Sequence, residues 1–160
     1  MIEHRVGVHK HPVWVLPNAL TADECATLAT RGPRGHDWPP GEPNAYIAKQ
    51  QARADELGAL LLPRLHEVPI TITGWTKYVT YTRTRRPTAW HFDHEDGDAD
   101  FKVYAYLNDA PGTYFDRKAC LFVPGIQGTV VVFSLDLEHA GAPHPQSELK
   151  LLIGLRPVTV

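Results

Sequence analysis

The 160-residue chain has only two cysteines and one methionine, and no apolar run approaches the roughly 20 residues that a membrane span needs. Cys25 and Cys120 are far apart and lack the spacing of metal-binding cysteine pairs, so the sequence indicates neither a zinc motif nor a disulfide framework. The first ten residues are too polar for the apolar core of a signal peptide. These absences favour a protein of the reducing cytoplasm that has no membrane partner.

The chain also lacks an excess of charge of either sign. It carries 16 Lys and Arg against 18 Asp and Glu, which gives a formal net charge of −2 at pH 7. No basic field therefore attracts nucleic acid or an anionic membrane over the whole surface. Basic residues do not alternate with aromatic ones along the chain either, which argues against a nucleic-acid partner. Any partner has to be recognised locally.

Length and composition indicate one ordinary domain. With 43% apolar residues the chain can bury a core without the help of disulfide bonds or a structural metal ion, and no repeat or linker divides residues 1–160. The apolar stretch Val13–Leu16 predicts a first strand. Thr21 and Glu24 match a capping box, in which each residue bonds the backbone N–H of the other, and they predict the start of a helix.

A second helix and a strand-rich half follow. From Asn44 onward apolar residues recur at three-to-four spacing until Pro63, which predicts an amphipathic helix. After Pro69, turn residues separate six β-branched or aromatic runs. The predicted strands are Ile70–Thr82, Trp90–Asp93, Lys102–Leu107, Ala119–Val123, Thr129–Phe133 and Lys150–Leu155. This order predicts an α+β fold, a double-stranded β-helix (jelly-roll) barrel with two N-terminal helices packed against it.

Two histidines and one aspartate in this half have the types and spacing of a metal site. His91 and Asp93 are two residues apart, so a strand would place both side chains on one face. His139 follows the apolar run Thr129–Phe133, at the rim where a buried strand emerges, whereas its competitor His144 lies between two prolines. Two imidazoles and one carboxylate on one side of Fe(II) leave positions open for a co-substrate and oxygen, which indicates redox chemistry.

The first two ligands have a competing pair. His94 and Asp96 have the same spacing as His91 and Asp93, and a chain with nine histidines will often contain such a pair by chance. His94 and Asp96 fall in an acidic turn, where a solvated loop explains them. His91 and Asp93 follow an apolar run, and they are therefore the favoured ligands.

In their order and spacing these residues resemble the Fe(II)/2-oxoglutarate-dependent dioxygenases, and the prolyl hydroxylases are the branch they resemble most. The resemblance covers roughly residues 75–156 and depends on the whole series, since no single piece is specific. The matching pieces are Tyr81-x9-His91-x-Asp93, Val103–Asp109, Gly128–Phe133, His139–Pro143 and Lys150. One departure is Ala110–Phe115, which has one glycine and no acid where relatives carry Gly-Gly-acid-Thr.

The resemblance implies that His91, Asp93 and His139 bind Fe(II). It implies that Lys150 binds the distal carboxylate of 2-oxoglutarate, with Arg156 as the alternative cation. A lysine serves there as a point charge, without the two-pronged contact of a guanidinium.

Two tyrosines match residues that line the co-substrate pocket in such enzymes. They are Tyr81 and Tyr106, whose phenols could donate to a carboxylate or keto oxygen. Two tryptophans, Trp38 and Trp90, could line the same pocket, because Trp90 directly precedes His91 and Trp38 stands alone in a loop.

The implied activity is hydroxylation of an unactivated C–H, with 2-oxoglutarate and O2 consumed and succinate and CO2 released. The substrate stays open between a small molecule, such as an amino acid or a natural product, and a peptidyl residue. Two alternatives remain: a cupin-like metal enzyme that does not use 2-oxoglutarate, and a non-catalytic jelly-roll binding module whose histidines are incidental.

Overall fold

A computed structural model describes residues 1–33, 44–93, 99–143 and 149–160. Within these residues, two α-helices accompany ten strands. The helices are α1 (Ala22–Thr30) and α2 (Gln51–Leu61). The strands are β1 (Ile2–Val6), β2 (His11–Leu16), β3 (Asn44–Lys49), β4 (Ile72–Thr84), β5 (Phe101–Tyr106), β6 (Ala110–Phe115), β7 (Leu121–Gly125), β8 (Val130–Ser134), β9 (His139–Gly141) and β10 (Lys150–Thr159).

The strands form two antiparallel sheets. The large sheet has the order β1-β2-β8-β5-β10-β4-β3, and the small sheet has the order β7-β6-β9. The register shifts between Ala110 and Thr113 of β6, next to the Pro-Gly pair in that strand. Neither sheet closes on itself in the described part of the chain, so the closed barrel of the prediction is not confirmed. What the structure has is a pair of antiparallel sheets with two helices.

The central strands of the large sheet are buried on both faces. Val103 and Ala105 of β5 pack in the cluster that includes the helices, whereas Tyr104 and Tyr106 pack in the cluster that includes the small sheet. Strand β8 alternates in the same way. Because successive side chains of a strand point to opposite faces, one set of strands supports two cores. Burial of one large apolar side chain stabilises such a core by about 1.5–3 kcal/mol.

The first helix begins at the predicted capping box. The Thr21 hydroxyl accepts from the backbone N–H of Glu24 at 3.2 Å, and the Glu24 carboxylate accepts from that of Thr21 at 2.8 Å. Helix α2 buries Ala54 and Leu57 and ends at Leu61, before Pro63 in a 3-10 turn. The two helices are thus present, each with one face in the core.

Three local predictions are wrong. Residues 44–49 form strand β3 instead of the start of a helix, and Ile47, which pairs with Thr80, is 41% exposed. The strand predicted at 90–93 is reduced to a single β-bridge at His91. Residues 110–112, which fall between the predicted strands Lys102–Leu107 and Ala119–Val123, belong to β6, where the register shift accommodates Pro111 and Gly112.

Neither helix of the described residues has the length and apolarity that a membrane span requires. Both cysteines are free thiols: Cys25 is buried and Cys120 is exposed. The Cys25 thiol points at the carbonyl of Tyr106 at 3.7 Å, so this residue belongs to the packing of α1 against the large sheet.

The contact between α2 and β4 provides a test of the packing. A Cβ at Gly58 would overlap the indole of Trp75, whereas a Cβ at Gly74 would meet no atom within 4 Å. We expect Gly58→Ala to lower the free energy of unfolding by about 1–3 kcal/mol, because the overlap outweighs the gain in helix propensity of about 1 kcal/mol. Urea unfolding measures this, with Gly74→Ala as the control. Equal stabilities of the two variants would contradict the packing of α2 on β4.

Candidate metal centre and the cavity beside it

The structure brings His91, Asp93 and His139 together. The Nε2 atom of His91 lies 3.5 Å from Asp93 Oδ1, and the Nε2 atom of His139 lies 3.5 Å from Asp93 Oδ2. One ligand atom from each residue lies within 4.8 Å of the other two. The donor atoms of the three residues therefore lie close together, although His91 and His139 are far apart in the sequence.

Backbone pairing holds the two histidines side by side. The N–H of His91 donates to the carbonyl of His139 at 3.0 Å, and the N–H of His139 donates to the carbonyl of His91 at 2.9 Å. Residues that face each other in an antiparallel pair share a face, and the two imidazole centroids are 4.3 Å apart. Asp93, two residues after His91, returns to the same side.

Further hydrogen bonds fix which nitrogen of each imidazole faces the centre. The Nδ1 atom of His91 lies 2.7 Å from the Ala89 carbonyl, and that of His139 lies 3.2 Å from the Leu137 carbonyl. A carbonyl can only accept, so each Nδ1 carries a proton and each Nε2 is the nitrogen that faces Asp93. This is the arrangement by which metal-binding histidines are commonly oriented.

The electrostatics hold Asp93 and His139 in the forms that can bind a metal ion. Burial raises the pKa of Asp93, but the Lys102 ammonium and the His139 and His91 imidazoles outweigh it, and the net pKa is lowered to about 2. Burial lowers the pKa of His139 to about 3. At neutral pH the site therefore holds a carboxylate and a neutral imidazole. With a nitrogen, nitrogen, oxygen donor set and His91 partly exposed, the residues fit Fe(II) held from one side.

The sequence analysis missed Lys102, whose Nζ lies 2.6 Å from Asp93 Oδ2. The residue lies on β5, on the same face as Tyr104 and Tyr106, and its side chain passes over Gly154, where a Cβ would approach its Cε to 2.9 Å. The alternation of side chains along β5 was the sequence signal that could have placed Lys102 on this face. The Lys102 ammonium pairs with the same carboxylate that would attract a metal ion, and it orients one oxygen of Asp93.

An inner cavity runs between the two sheets from His91 and His139 to Lys150. Its other lining residues are Thr80, Thr82, Thr84, Arg86, Thr88, Lys102, Tyr104, Thr113, Gly141, Ala142, Leu152 and Gly154. Hydroxyl groups and lysines from both sheets thus surround one space. A ligand that reached from the metal centre to Lys150 would be enclosed on two sides by sheet.

Lys150 is a buried cation that lines this cavity. It is 5% exposed, and its Nζ lies 3.4 Å from both the Gly112 carbonyl and Thr113 Oγ1. No carboxylate of the described residues forms an ion pair with it. Burial lowers its pKa to about 8. An ammonium desolvated without an anion is unfavourable, which indicates that a ligand supplies the anion.

Arg156, the alternative cation, lies elsewhere. Its guanidinium stacks 3.9 Å from the centroid of Tyr78, and its Nη2 donates to the carbonyl of Asp93 at 2.8 Å. Together with Asp93 and Tyr78 it lines a second, outer cavity, which Lys150 does not line. Arg156 therefore supports the backbone at Asp93.

The two predicted tyrosines have different positions. Tyr106 is fully buried, its hydroxyl lies 2.7 Å from Thr113 Oγ1, and Lys150 Nζ lies 5.6 Å from its ring centroid. Tyr81 is not brought to the inner cavity. It packs on the helix side of β4 beside Tyr46, with ring centroids 6.3 Å apart, whereas Thr80 and Thr82 face the cavity. The alternation of the strand places Tyr81 on the other face.

Other predicted residues lie at the edge of the site or outside the described residues. Trp90 lies beside Tyr114, with ring centroids 6.5 Å apart, and lines a separate shallow cavity. Outside the described residues are Trp38, His94, Asp96 and His144.

No family model and no curated protein sequence matches the chain. Solved structures do match, at high probability. A prolyl-4-hydroxylase from Pseudomonas putida is 15% identical over 92% of each chain, with a TM-score of 0.60. An oxidoreductase of the 2OG-Fe(II) oxygenase family from Burkholderia pseudomallei is 15% identical over 91% of this chain and 84% of that one, with a TM-score of 0.65.

A third match is the non-heme α-ketoglutarate-dependent carbocyclase SnoK of nogalamycin biosynthesis, at 15% identity over 91% of this chain and 79% of that one, with a TM-score of 0.59. At such identities the likeness concerns the fold. The chain has the jelly-roll-like fold of the Fe(II)/2-oxoglutarate oxygenases, prolyl hydroxylases among them, and the predicted resemblance is confirmed at that level.

Lys150→Met tests the buried ammonium. Because burial lowers the pKa of Lys150 from 10.5 to about 8, the charge destabilises the ligand-free fold below pH 8, and this penalty is relieved as the pH rises from 8 to 10.5. We expect the variant to be more stable than wild type at pH 7, on the order of 3 kcal/mol, and to lack the rise in stability between pH 8 and 10.5. Urea unfolding at several pH values measures both, and the exposed Lys118→Met is the control. If Lys150→Met still became more stable between pH 8 and 10.5, Lys150 would not be the buried group whose pKa is lowered.

Proposed function

We propose that the protein is an Fe(II)- and 2-oxoglutarate-dependent dioxygenase that hydroxylates an unactivated C–H of a small molecule or a peptidyl residue. The observation that carries the proposal is the inner cavity itself. It is lined by the imidazoles of His91 and His139, which adjoin Asp93, and by the buried ammonium of Lys150, which pairs with no carboxylate of the described residues. A dicarboxylate that also chelates a metal ion would satisfy both the metal centre and the ammonium.

His91, Asp93 and His139 would hold the iron. Bound iron, 2-oxoglutarate and O2 supply the oxidising chemistry, which releases succinate and CO2. The chain itself keeps both Nε2 atoms directed at the centre through the carbonyls of Ala89 and Leu137. Lys102 holds one oxygen of the Asp93 carboxylate, so that the other is presented to the metal.

Lys150 would bind the distal carboxylate of 2-oxoglutarate. Its ammonium is desolvated, and an ion pair inside a cavity closed by two sheets is stronger than one in water. The hydroxyl of Thr113 lies 3.4 Å from Nζ, and the ring centroid of Tyr106 lies 5.6 Å from it. These residues fix the ligand's orientation towards the metal centre and exclude water from its far end.

The outer cavity would receive the substrate. It has a volume of about 450 Å³, adjoins His91 and Asp93, and is lined by both apolar and polar groups, including Ile47, Phe92 and Arg156. Phe92 is 48% exposed, so its ring is available for contact. That volume fits an amino-acid-sized molecule or one side chain of a peptide. Residues 1–160 would form one catalytic domain in the reducing cytoplasm, where Fe(II) and both free thiols stay reduced.

Anaerobic reconstitution tests the function. We expect wild-type protein with Fe(II) and 2-oxoglutarate to give the weak visible charge-transfer band of a chelated keto acid. His139→Ala should give no band, because a ligand is lost. Lys150→Met should still bind Fe(II) but weaken 2-oxoglutarate binding at least about tenfold, as expected for a lost charge-assisted hydrogen bond. The exposed Lys118→Met is the matched control and should behave as wild type.

The same titration separates the alternatives. A cupin-like metal enzyme would bind Fe(II) without the band, and its activity would survive the Lys150 substitution. A binding module would bind no Fe(II), and 2-oxoglutarate would change neither its melting temperature nor its spectrum. Absence of the band from a folded wild-type sample therefore removes the proposed function.

A further inference from the structure

A further pocket lies on the helix side of the large sheet. This helix-side pocket has a volume of about 630 Å³ and is lined by residues from the end of α1, the first turn of α2, and strands β3 and β4. On β4, Tyr81 lines this pocket, whereas Thr80 and Thr82 line the inner cavity. Because successive side chains of a strand point to opposite faces, the two spaces lie on opposite sides of one strand.

Two guanidiniums give the helix-side pocket an excess of positive charge. Arg31 and Arg53 both line it, and both pair with the single carboxylate of Glu56, which lies 3.0 Å from Nη1 of Arg53. No other carboxylate of the described residues pairs with either arginine. The two side chains are 37% and 34% exposed, so a ligand can reach them. A guanidinium has five N–H donors, so each arginine keeps donors for a second anion.

Helix α2 adds to this positive field, because it begins at the pocket. Its N-cap residue, Gln50, lines the pocket and makes no side-chain cap bond, and the first turn of the helix contains no acidic residue. The first N–H groups of a helix carry a partial positive charge, which a nearby anion compensates. The start of α2 and the two arginines therefore favour the same kind of ligand.

The pocket also has a buried hydroxyl without a hydrogen-bond partner. Tyr81 is 5% exposed, and its hydroxyl has no partner among the described residues. Burial raises the pKa of Tyr81, Arg53 lowers it, Tyr46 raises it and Arg31 lowers it, so the phenol stays protonated as a donor within the field of both arginines. A buried donor without an acceptor destabilises a fold, and a ligand with an acceptor oxygen would satisfy it.

Two aromatic rings supply an apolar wall. Tyr46 and Tyr81 are opposite each other in the pairing of β3 with β4, with ring centroids 6.3 Å apart, so both rings lie on the helix side. A Cβ at Gly32 would approach Cδ1 of Tyr81 to 3.3 Å, so the chain after α1 packs directly against this ring. Rings beside guanidiniums suit an anion that carries a flat apolar group.

We propose that the helix-side pocket is a second ligand site, which binds a small organic carboxylate with a flat apolar group through Arg31, Arg53 and the hydroxyl of Tyr81. The site is separate from the inner cavity and does not depend on the proposed function. It gives a role to the tyrosine that the sequence analysis placed in the co-substrate pocket.

Benzoate is the probe that tests the inference, since it combines a carboxylate with a flat ring. We expect isothermal titration to show that wild type binds benzoate at least about tenfold more tightly than benzamide, which has the same shape without the charge. Acetate, a carboxylate without the ring, should also bind more weakly than benzoate. Equal affinities for benzoate and benzamide, or no binding of benzoate, would overturn the inference.

Two variants locate the binding. Arg53→Met should raise the dissociation constant of benzoate about tenfold or more, because a charge-assisted hydrogen bond is lost. Tyr81→Phe should raise it about threefold or more, while the melting temperature without benzoate equals or exceeds that of wild type. The matched controls are Arg64→Met, since Arg64 also pairs with a glutamate but lies outside the pocket, and Tyr114→Phe, which changes a half-buried phenol elsewhere. Both controls should bind benzoate as wild type does.

The outcomes keep this inference apart from the proposed function. Lys150→Met should bind benzoate as wild type does, and Tyr81→Phe should bind 2-oxoglutarate as wild type does. If Lys150→Met weakens benzoate binding and Arg53→Met does not, benzoate occupies the inner cavity and the inference is wrong. If Tyr81→Phe weakens 2-oxoglutarate binding, Tyr81 belongs to the co-substrate pocket and the inference is again wrong. In both cases the proposed function stands.

Discussion

The candidate metal centre depends on one backbone interaction, the reciprocal pair of hydrogen bonds between His91 and His139. This bridge joins the segment that follows β4 to the short strand β9 of the small sheet. Since directly opposed residues share a face, the bridge alone places two imidazoles together, and the period of an extended chain then returns Asp93 to them. The donor atoms are therefore positioned by main-chain geometry and only refined by their side-chain contacts.

The cavity depends in turn on the double use of the large sheet. On β5, Val103 and Ala105 contact the helix side, and Tyr104 and Tyr106 contact the small-sheet side. On β5, residues that face the small-sheet side thus alternate with residues that pack in the opposite core. A shift of one residue in register would exchange the two sets, so the packing of the helices and the chemistry of the cavity specify the same alignment.

The sequence predicted those features that depend on residue type and local spacing. That His91 and Asp93 share a face followed from strand period, whereas their grouping with His139 and Lys150 came from the resemblance to a known family. The sequence did not show which face of β4 Tyr81 occupies. The face depends on how this 13-residue strand pairs with β10, and that pairing has two irregularities. The sequence also contained no sign of the partner of Asp93, because Lys102 lies on a different segment, strand β5, and the two side chains meet only in the folded chain.

The buried Lys150 also couples ligand capture to the solvent. Its pKa of about 8 in the ligand-free fold means that part of the population carries no charge in mildly alkaline solution. A carboxylate arriving beside the amine would restore the basicity of that group, so association would take up protons from the medium. The heat released on association would then vary with the ionisation enthalpy of the buffer, although no residue of the metal centre changes its state.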